Sequence, residues 1–161
     1  MQKLDVGCGL KEGWHEPEDT SWIRVDPYVD DPLVTKAPAD KLPYEDNSVD
    51  EIFSSHMLEH VYKIEVVPIL KEWLRVLKPT GTLTLRVPDL VWCCNWWLNH
   101  PTVNWDMDVI YGNQSRPGEA HKTGFSREIL VDYLREAGFN IKIFNELDTH
   151  SQRTMEFICT K

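Results

Sequence analysis

The hydrophobic pattern begins with a short apolar run that leads directly into glycine. Leu4 to Val6 is followed by Gly7 and Gly9, spaced one residue apart. An apolar run that ends in glycine predicts a buried strand and a tight turn. Glycine suits such a turn because it adopts positive φ and has no Cβ to hold a ligand away from the backbone. Since ligands of open α/β sheets bind beyond the carboxyl ends of the strands, this turn is the first candidate ligand site.

Further strands are predicted from β-branched and aromatic runs that stop at proline, glycine or polar residues. The predicted strands cover residues 3–6, 21–26, 33–35, 49–54, 82–87, 139–145 and 155–159. The last two lie about ten residues apart and predict an antiparallel hairpin. The residues between Gly9 and Trp22 lack an apolar period of 3.6 and barely leave room for a crossover helix, so we predict a loop or a single turn there.

A first amphipathic helix is predicted where apolar residues recur at three- or four-residue steps. Its apolar positions are Ile64, Val67, Leu70, Trp73 or Leu74, and Leu77. Because proline is tolerated only in the first turn of a helix, Pro68 places the start of the regular part near Val66. Residues 78–81 end the helix. Glu72 and Arg75, three residues apart, are predicted to form an ion pair without a catalytic role.

A second helix is predicted to begin after Ser126, its N-cap, and to end at Gly138. Its predicted buried stripe consists of Ile129, Leu130, Tyr133 and Leu134. Between the two helices, residues 88–124 differ in composition, with weak helical character at residues 90–98 and loop character beyond. A segment of this size cannot bury its own core. We therefore predict one domain over residues 1–161, with a tryptophan-rich insertion at about 88–124.

The insertion contains Trp92, Trp96, Trp97 and Trp105. Aromatic faces stack against sugars and bases, but tryptophan is also enriched in subunit interfaces. We favour cover of the sheet, or a subunit interface, over direct contact with a substrate. The first two crossovers are too short for full helices, so one sheet face is thinly covered, and this predicts a homodimer.

Composition and charge narrow the classes of partner. The chain of 161 residues has 17 basic and 26 acidic residues and a net charge of −9. This charge makes broad electrostatic capture of nucleic acid or of an anionic membrane unfavourable. No apolar run approaches the roughly 20 residues of a transmembrane helix. The sequence enters a strand at once, without a signal-peptide pattern, which predicts a cytoplasmic protein with no membrane partner.

The four cysteines do not form a metal-binding pattern. Cys93 and Cys94 are adjacent, Cys8 lies between the two glycines, and Cys159 is near the end of the sequence. None of these spacings is typical of a metal site or a disulfide framework. We predict reduced, structural cysteines and no metal.

Several stretches resemble one enzyme family when taken in order. They are Leu4-Asp5-Val6-Gly7-Cys8-Gly9, then Asp26, Leu42-Pro43-Tyr44-Glu45-Asp46-Asn47-Ser48-Val49-Asp50, His56-Met57-Leu58-Glu59-His60, the block from Leu70 to Gly81, Gly124-Phe125-Ser126 and Ala137-Gly138-Phe139. In this order and spacing the chain resembles the class I S-adenosylmethionine-dependent methyltransferases. The resemblance is to the small-molecule branch with LDVGCG, LEH and RVLKPGG blocks, some members of which occur in saccharide-modification clusters or phages. It covers nearly the whole chain except residues 88–120.

The resemblance implies an α/β fold, a single Rossmann-like methyltransferase domain. Its seven-stranded sheet is mostly parallel with an antiparallel last strand, and helix content is reduced in the N-terminal half. S-adenosyl-L-methionine is the implied cofactor. Asp26 is placed on the ribose hydroxyls, where a carboxylate accepts two hydrogen bonds. The implied cofactor-binding residues are Asp5, Gly7, Cys8, Gly9, Asp26, Ala39, Asp40 and Ser55, with the adenine near Ala39 and Asp40.

A nicotinamide-binding Rossmann protein is the nearest alternative. Its G-x-G-x-x-G pattern would open a long helix. Here position 12 is Glu12 and no such helix is predicted. We therefore favour the methyltransferase interpretation.

The candidate catalytic residues are His56 and His121. His56 follows the fourth strand at its carboxyl edge, and His121 precedes the second predicted helix. A general base is needed only when the acceptor is a poor nucleophile such as a hydroxyl, and histidine suits that role near neutral pH. We expect His60 to pack locally. Glu59 either orients a histidine or binds free amides at the next helix start, and we favour the second.

The predicted function is methyl transfer from S-adenosylmethionine to a small-molecule or saccharide acceptor. Nucleic acid is a disfavoured acceptor because of the negative net charge. Two alternatives use the same sheet: a non-catalytic, cofactor-binding subunit of a partner enzyme, and a ligand-free interaction module. The short crossovers and the absence of a predicted helix to cover the cofactor support the first of these alternatives.

Overall fold

A seven-stranded sheet organises the protein in the computed structural model, which describes residues 1–9, 21–100, 105–115, 118–149 and 152–161. The strands are β1 (Lys3–Val6), β2 (Ile23–Val25), β3 (Val34–Thr35), β4 (Val49–Ser55), β5 (Leu77–Pro88), β6 (Asn140–Thr149) and β7 (Gln152–Thr160). Each lies where a strand is predicted, and six of the seven differ from the prediction by no more than four residues at either end. β5 begins five residues earlier than predicted, so Leu77 and residues 78–81, which are predicted to belong to the first helix and its end, are part of this strand. The predicted loop or turn between Gly9 and Trp22 falls mostly outside the described residues.

The strand order is β3-β2-β1-β4-β5-β7-β6. β1 pairs in parallel with both β2 and β4, and β7 is antiparallel to β5 and β6. This confirms the mostly parallel, seven-stranded α/β sheet with an antiparallel last strand. The chain runs outward from β1 on one side through β2 and β3, and resumes at β4 on the other side. The switch point of the sheet, where α/β folds bind ligands, therefore lies at the carboxyl ends of β1 and β4.

Four α-helices and a short 3₁₀ turn accompany the sheet in the described residues. They are α1 (Lys63–Val76), α2 (Leu90–Asn99), α3 (Trp105–Tyr111), α4 (Arg127–Ala137) and the 3₁₀ turn Leu58–His60. Residues 26–33 and 36–48, which join β2 to β3 and β3 to β4, contain no helix. This agrees with the predicted scarcity of helix in the N-terminal half. None of the helices within the described ranges is both long enough and apolar enough to cross a membrane.

The start of α1 differs from the prediction. The helix begins at Lys63, and Pro68 lies in its second turn. Glu65 fixes the earlier start, because its carboxylate accepts a 2.7 Å hydrogen bond from the backbone of the N-cap Tyr62. The buried face also shifts. Ile64 is 84% exposed, and the residues that face the core are Val66, Ile69, Leu70, Trp73 and Val76.

The predicted ion pair between Glu72 and Arg75 is present, and it also holds the loop before β4. Arg75 forms a two-pronged contact with Glu72, with both nitrogen–oxygen distances at 2.7 Å. Glu72 also accepts a hydrogen bond from the Leu42 amide, and Arg75 reaches Asp46. These contacts fix residues 42–46 against the helix, a structural role far from the switch point.

The caps of α4 are confirmed. The hydroxyl of Ser126 accepts a hydrogen bond from the Ile129 amide, and Gly138 ends the helix with φ at 105°. The buried stripe is partly wrong. Leu130 and Leu134 are buried with Ala137, but Ile129 is 46% exposed because the face that meets the core is displaced by one residue.

The insertion is more helical than predicted. α2 confirms the helical character of residues 90–98, and the Asp89 side chain caps it at the Trp92 amide. α3 lies where a loop was expected, so that prediction is wrong; Met107, Ile110 and Tyr111 have helical spacing that is too short to stand out from the sequence. Trp92 and Trp96 on α2 are half-buried.

Candidate functional site

The glycine turn, residues 7–9, lies at the switch point of the sheet. Gly7 and Gly9 have positive φ values of 75° and 57°. The Gly7 amide donates a 2.8 Å hydrogen bond to the Val25 carbonyl at the end of β2. The turn is therefore held against the neighbouring strand, in conformations that side chains rarely adopt.

Asp26 joins the end of β2 to this turn. One carboxylate oxygen accepts a 3.0 Å hydrogen bond from the Gly9 amide. The other accepts hydrogen bonds from the Tyr28 and Val29 amides at 2.8 and 3.2 Å. The residue is 8% exposed. Because a carboxylate has about four acceptor positions, Asp26 keeps capacity for a further donor beside the turn.

Met57 gives a reason for glycine at position 7 that involves no ligand. A Cβ at Gly7 would lie 2.6 Å from the Met57 Cβ and closer still to its Cγ. Met57 therefore packs directly on the first glycine and connects the turn to the residues that follow β4. The predicted close approach of a cofactor rests on the Cys8 and Gly9 backbone.

The Cys8 side chain points into a small apolar cluster with Val29 and Val34. Burial raises the pKa of its thiol to about 12, so the group is neutral. Cys8 could meet a cofactor only through its backbone. All four cysteines are free thiols; Cys93 and Cys159 are also buried, but Cys94 is exposed, so the expected structural role does not apply to it.

Asp5 is a buried carboxyl group on β1, immediately before the turn. Burial raises its pKa to about 7; the positive charge of Arg24 opposes this shift and the negative charge of Asp26 adds to it. Arg24 also donates a 2.9 Å hydrogen bond to the Gly9 carbonyl. Near neutral pH the carboxyl group of Asp5 is therefore close to half protonated.

The remaining predicted cofactor residues lie on the loop after β3 and at the end of β4. Ala39 is half-buried, and its carbonyl accepts a 3.0 Å hydrogen bond from the buried Trp73 indole. Asp40 is exposed, and Ser55 is the half-buried last residue of β4. Their contacts with a cofactor stay predictions.

His56 occupies a special backbone position after β4. Its φ is +54°, and its amide donates a 2.9 Å hydrogen bond to the Arg86 carbonyl. The ring Nδ1 lies 3.4 Å from a Glu59 oxygen, and Nε2 lies 3.2 Å from the Thr154 hydroxyl. The side chain is 31% exposed. His56 is thus held from two sides, yet it still reaches the surface.

Glu59 lies at the centre of a histidine cluster that consists of His56, Glu59, His60 and His121. Its side chain is 2% exposed, and neither oxygen receives a well-directed hydrogen bond. The expectation that it binds amides at the next helix start is therefore wrong. Burial favours the protonated acid, but contact with His56 and the charges of His60 and His121 outweigh it and lower the pKa of Glu59.

His60 and His121 meet edge to face, with ring centroids 4.8 Å apart. Burial lowers the pKa of His121, although the charge of Glu59 opposes the shift. The ring of His121 also hydrogen-bonds to the backbone of Val109.

Two backbone features fix the position of the His121 loop, one at the 3₁₀ turn and one at the end of α3. The amides of Lys122 and Thr123 donate to the Glu59 carbonyl at 2.7 and 3.1 Å. Gly112 lets residues 119–121 approach the end of α3. A Cβ at position 112 would overlap the Glu119 carbonyl and lie 2.9 Å from the backbone nitrogen of His121. Structure thus brings His56 and His121 together around Glu59. From the sequence, His60 is predicted to pack locally and Glu59 to bind amides at the next helix start. The pattern that could have indicated a shared site is the close spacing of His56, Glu59 and His60.

A cavity of about 450 Å³ lies elsewhere, between the start of α1, the loop before α4, and α4 itself. Its lining residues are Lys63, Lys122, Thr123, Gly124, Ile129, Asp132 and Tyr133. It includes none of the predicted cofactor residues.

Comparison with protein families identifies one matching domain. Residues 24–85 match the family model described as a methyltransferase domain. The match runs from β2 into β5, and so includes Asp26 and the histidine–glutamate–histidine segment after β4. No curated protein matches the chain significantly.

Solved methyltransferase structures share the fold. An S-adenosylmethionine-dependent methyltransferase from Methanosarcina mazei has a TM-score of 0.68 and 22% identity, over 99% of this chain and 92% of that one. A second similar structure is the 1,6-didemethyltoxoflavin-N1-methyltransferase from Burkholderia thailandensis, with bound 1,6-didemethyltoxoflavin and S-adenosylhomocysteine. It has a TM-score of 0.67 and 15% identity, over 99% of this chain and 70% of that one.

A third structure is a complex of a putative methyltransferase with the Haloferax volcanii Trm112 methyltransferase activator. It has a TM-score of 0.62 and 16% identity, over 99% of this chain and 81% of that one. At these identities the likeness establishes the Rossmann-like methyltransferase fold. Together with the family match, it supports S-adenosylmethionine-dependent methyl transfer.

Proposed function

We propose, from the methyltransferase domain match and the methyltransferase fold, that the chain transfers a methyl group from S-adenosylmethionine to a small-molecule or saccharide acceptor. One observation carries the proposal. The Gly9 amide is hydrogen-bonded to the Asp26 carboxylate at the switch point of the sheet, so a bare backbone turn and a carboxylate lie side by side. A nucleoside site needs both features: the glycine turn lets the ligand approach the backbone closely, and the carboxylate accepts hydrogen bonds from the ribose hydroxyls.

The cofactor is proposed to lie across the carboxyl ends of β1 and β2. The Cys8 and Gly9 backbone meets the methionine part, with Gly7 setting the turn, and Asp26 accepts hydrogen bonds from the ribose. Ala39 and Asp40 border the adenine from the loop after β3. Asp5 and Ser55 flank the methionine end from β1 and β4. The Asp26 carboxylate already accepts three amides, and this fixes its orientation before the cofactor arrives.

His56 is the acceptor-side residue that the geometry favours. It follows β4 beside the turn, and its partly exposed ring is oriented by Glu59 and Thr154. In the proposed reaction the bond between the methyl carbon and sulfur breaks as the bond to the acceptor forms, which leaves S-adenosylhomocysteine. A hydroxyl acceptor would pass its proton to Nε2 of His56, in place of the contact of that atom with the Thr154 hydroxyl, while Nδ1 keeps its contact with Glu59. His121, the second candidate, faces Glu59 and His60 and lies farther into the cluster.

Three observations bear on the acceptor and partners. The similar Burkholderia enzyme binds 1,6-didemethyltoxoflavin, which supports a small-molecule acceptor. The net charge of −9 makes nucleic acid an unfavourable one. The apolar residues Val91 and Leu98 on α2 are exposed beside half-buried tryptophans, a surface that suits a second copy of this chain.

A non-catalytic cofactor-binding subunit is the second candidate function. The lack of helix between β2 and β4 favours it, because less protein is present to enclose a cofactor. In that case the chain would bind the cofactor and activate a partner enzyme.

Labelled methyl transfer to a pool of metabolites and saccharides tests the proposal. The wild-type chain should transfer label from S-adenosylmethionine. His56→Asn should reduce the rate by about 10²–10⁴-fold when the acceptor is a hydroxyl, because the base is lost. Asparagine is chosen because it tolerates the positive φ of this position. His100→Asn, on the exposed end of α2, is the matched control and should transfer normally.

Two outcomes would contradict the proposal in different ways. A chain that binds the cofactor but transfers no label would be the non-catalytic subunit. Unchanged transfer by His56→Asn would remove His56 from the reaction but leave the cofactor site intact.

A further inference from the structure

The buried polar atoms without hydrogen-bond partners concentrate at one place. Within the described ranges, the structure leaves four such side-chain atoms: the Ser54 hydroxyl, both Glu59 carboxylate oxygens and the His60 Nδ1. Three of the four belong to the histidine cluster. Since buried polar atoms are nearly always hydrogen-bonded, these three atoms are available to bind a ligand.

The ligand must suit a carboxylate and two imidazoles. Donor atoms of Glu59, His60 and His121 all lie within 4.8 Å of one another. Imidazole nitrogen and carboxylate oxygen are the ligands that zinc and similar divalent transition metals prefer. A cation would also compensate the buried charge of this carboxylate, whose other charged contact is the Nδ1 atom of His56 at 3.4 Å.

We propose that Glu59, His60 and His121 bind a divalent transition-metal ion of the zinc class. Metal-bound histidines commonly donate their second ring nitrogen to a backbone carbonyl, which orients the ring. His121 has this arrangement, since its ring hydrogen-bonds to the backbone of Val109. Three protein ligands leave a fourth coordination position for water or another small ligand.

The backbone holds the three ligands close before any ion binds. Glu59 and His60 are neighbours in the 3₁₀ turn, and the His121 loop is fixed to that turn by the hydrogen bonds from Lys122 and Thr123 to the Glu59 carbonyl. Ligand atoms of a tetrahedral zinc ion lie about 3.4 Å apart, so donor atoms that lie up to 4.8 Å apart must approach one another by up to about 1.4 Å. The cysteine spacing predicts no metal, and the histidine and glutamate ligands form no local pattern because His121 lies far from Glu59 along the chain.

Direct measurement of metal binding tests the site and needs neither cofactor nor methyl acceptor. Untagged protein would be stripped with a chelator, titrated with zinc chloride in a calorimeter, and reconstituted with Co²⁺ for absorption spectra. We expect one zinc ion per chain and a tetrahedral Co²⁺ spectrum. Glu59→Gln and His121→Gln should each weaken zinc binding at least tenfold, whereas His100→Gln, an exposed histidine outside the cluster, should bind as the wild type does.

The competing explanation is that Glu59 only shares charge and protons with its histidine neighbours. Less than half an equivalent of zinc in the wild type, or equal binding by Glu59→Gln and the wild type, would overturn the metal proposal in its favour. Should His121→Gln fail to fold, the wild-type Co²⁺ spectrum and the Glu59→Gln titration decide, because that change keeps the side-chain volume. Failure of methyl transfer alone leaves this result unaffected.

Discussion

Two buried carboxylates near the carboxyl edge of the sheet have opposite surroundings. Asp26, beside the glycine turn, accepts three backbone hydrogen bonds. Glu59, in the histidine cluster, receives no well-directed hydrogen bond and faces imidazole rings. The first carboxylate is oriented without a ligand, so a ligand only adds to its contacts. The second has unmet capacity that a cation would satisfy.

The two regions also differ in how far apart their residues lie in sequence. The glycine turn and Asp26 come from adjacent strands early in the chain, within the first 26 residues. The histidine cluster combines the segment after β4 with the loop at His121, and Thr154 on β7 supports it. The glycine turn therefore depends on local strand pairing, and the cluster depends on the completed fold.

The largest expected effect tests the cost of a third buried carboxyl group, that of Asp5. The pKa of Asp5 is raised to about 7 in the folded protein, from 3.8 in the unfolded chain. Its ionisation therefore opposes folding. The free energy of unfolding begins to fall above pH 4, and this loss of stability is complete above pH 7. Asp5→Asn should match the wild type below pH 4 and be more stable by up to about 4 kcal/mol above pH 7. Urea unfolding of cofactor-free protein at pH 4 and pH 8 measures this.

Asp50→Asn is a control of opposite sign. Hydrogen bonds from Lys78 and Gln2 lower the pKa of Asp50, so its ionised form stabilises the fold. That stability is present above the unfolded pKa and is lost as the pH falls through the folded pKa. The variant should thus lose stability at pH 8 and little in acid. A pH-independent effect of Asp5→Asn would show that burial does not govern this carboxyl group.

A smaller effect tests the packing of Met57 on the glycine turn. Gly7→Ala adds a methyl group that overlaps Met57 in a backbone conformation with positive φ. We expect a loss of about 3 kcal/mol from strain and overpacking together. Thermal or urea unfolding gives the value.

Gly118→Ala isolates the contribution of the backbone. Gly118 also has positive φ, but its nearest neighbour is Tyr28 at an ordinary 3.6 Å. Its alanine variant should lose about 1–2 kcal/mol. The double variant Gly7→Ala with Met57→Ala should lose less than the sum of the single variants. Equal losses for Gly7→Ala and Gly118→Ala would mean that Met57 moves aside without cost.

The parts of this fold that could be predicted from sequence are those set by local pattern. β1 and its glycines, the caps of α4 and the final hairpin each follow from residues close in the chain. The buried face of α1 is harder to predict from sequence. The hydrogen bond between Glu65 and Tyr62 starts the helix more than one turn before Pro68, and Ile64 then faces solvent.

In the candidate site too, the residues that depend on local pattern could be predicted, and those that depend on distant contacts could not. Asp26 was placed correctly beside the turn, since strand ends in a parallel sheet share an edge. The surroundings of Glu59 depend on His121, more than sixty residues away, and on the bend that Gly112 permits. No local pattern reports such a contact. The tight packing of Met57 on Gly7 was missed for the same reason.

Calorimetry with S-adenosylhomocysteine tests the central claim, that the glycine turn and Asp26 form a nucleoside site. The wild type should bind one equivalent. Asp26→Ala should bind about 100-fold more weakly, because charge-assisted hydrogen bonds to the ribose are lost. Asp30→Ala, a neighbouring exposed aspartate, should bind as the wild type does. Absence of binding by the folded wild-type chain, or equal binding by a folded Asp26→Ala variant, would contradict the claim.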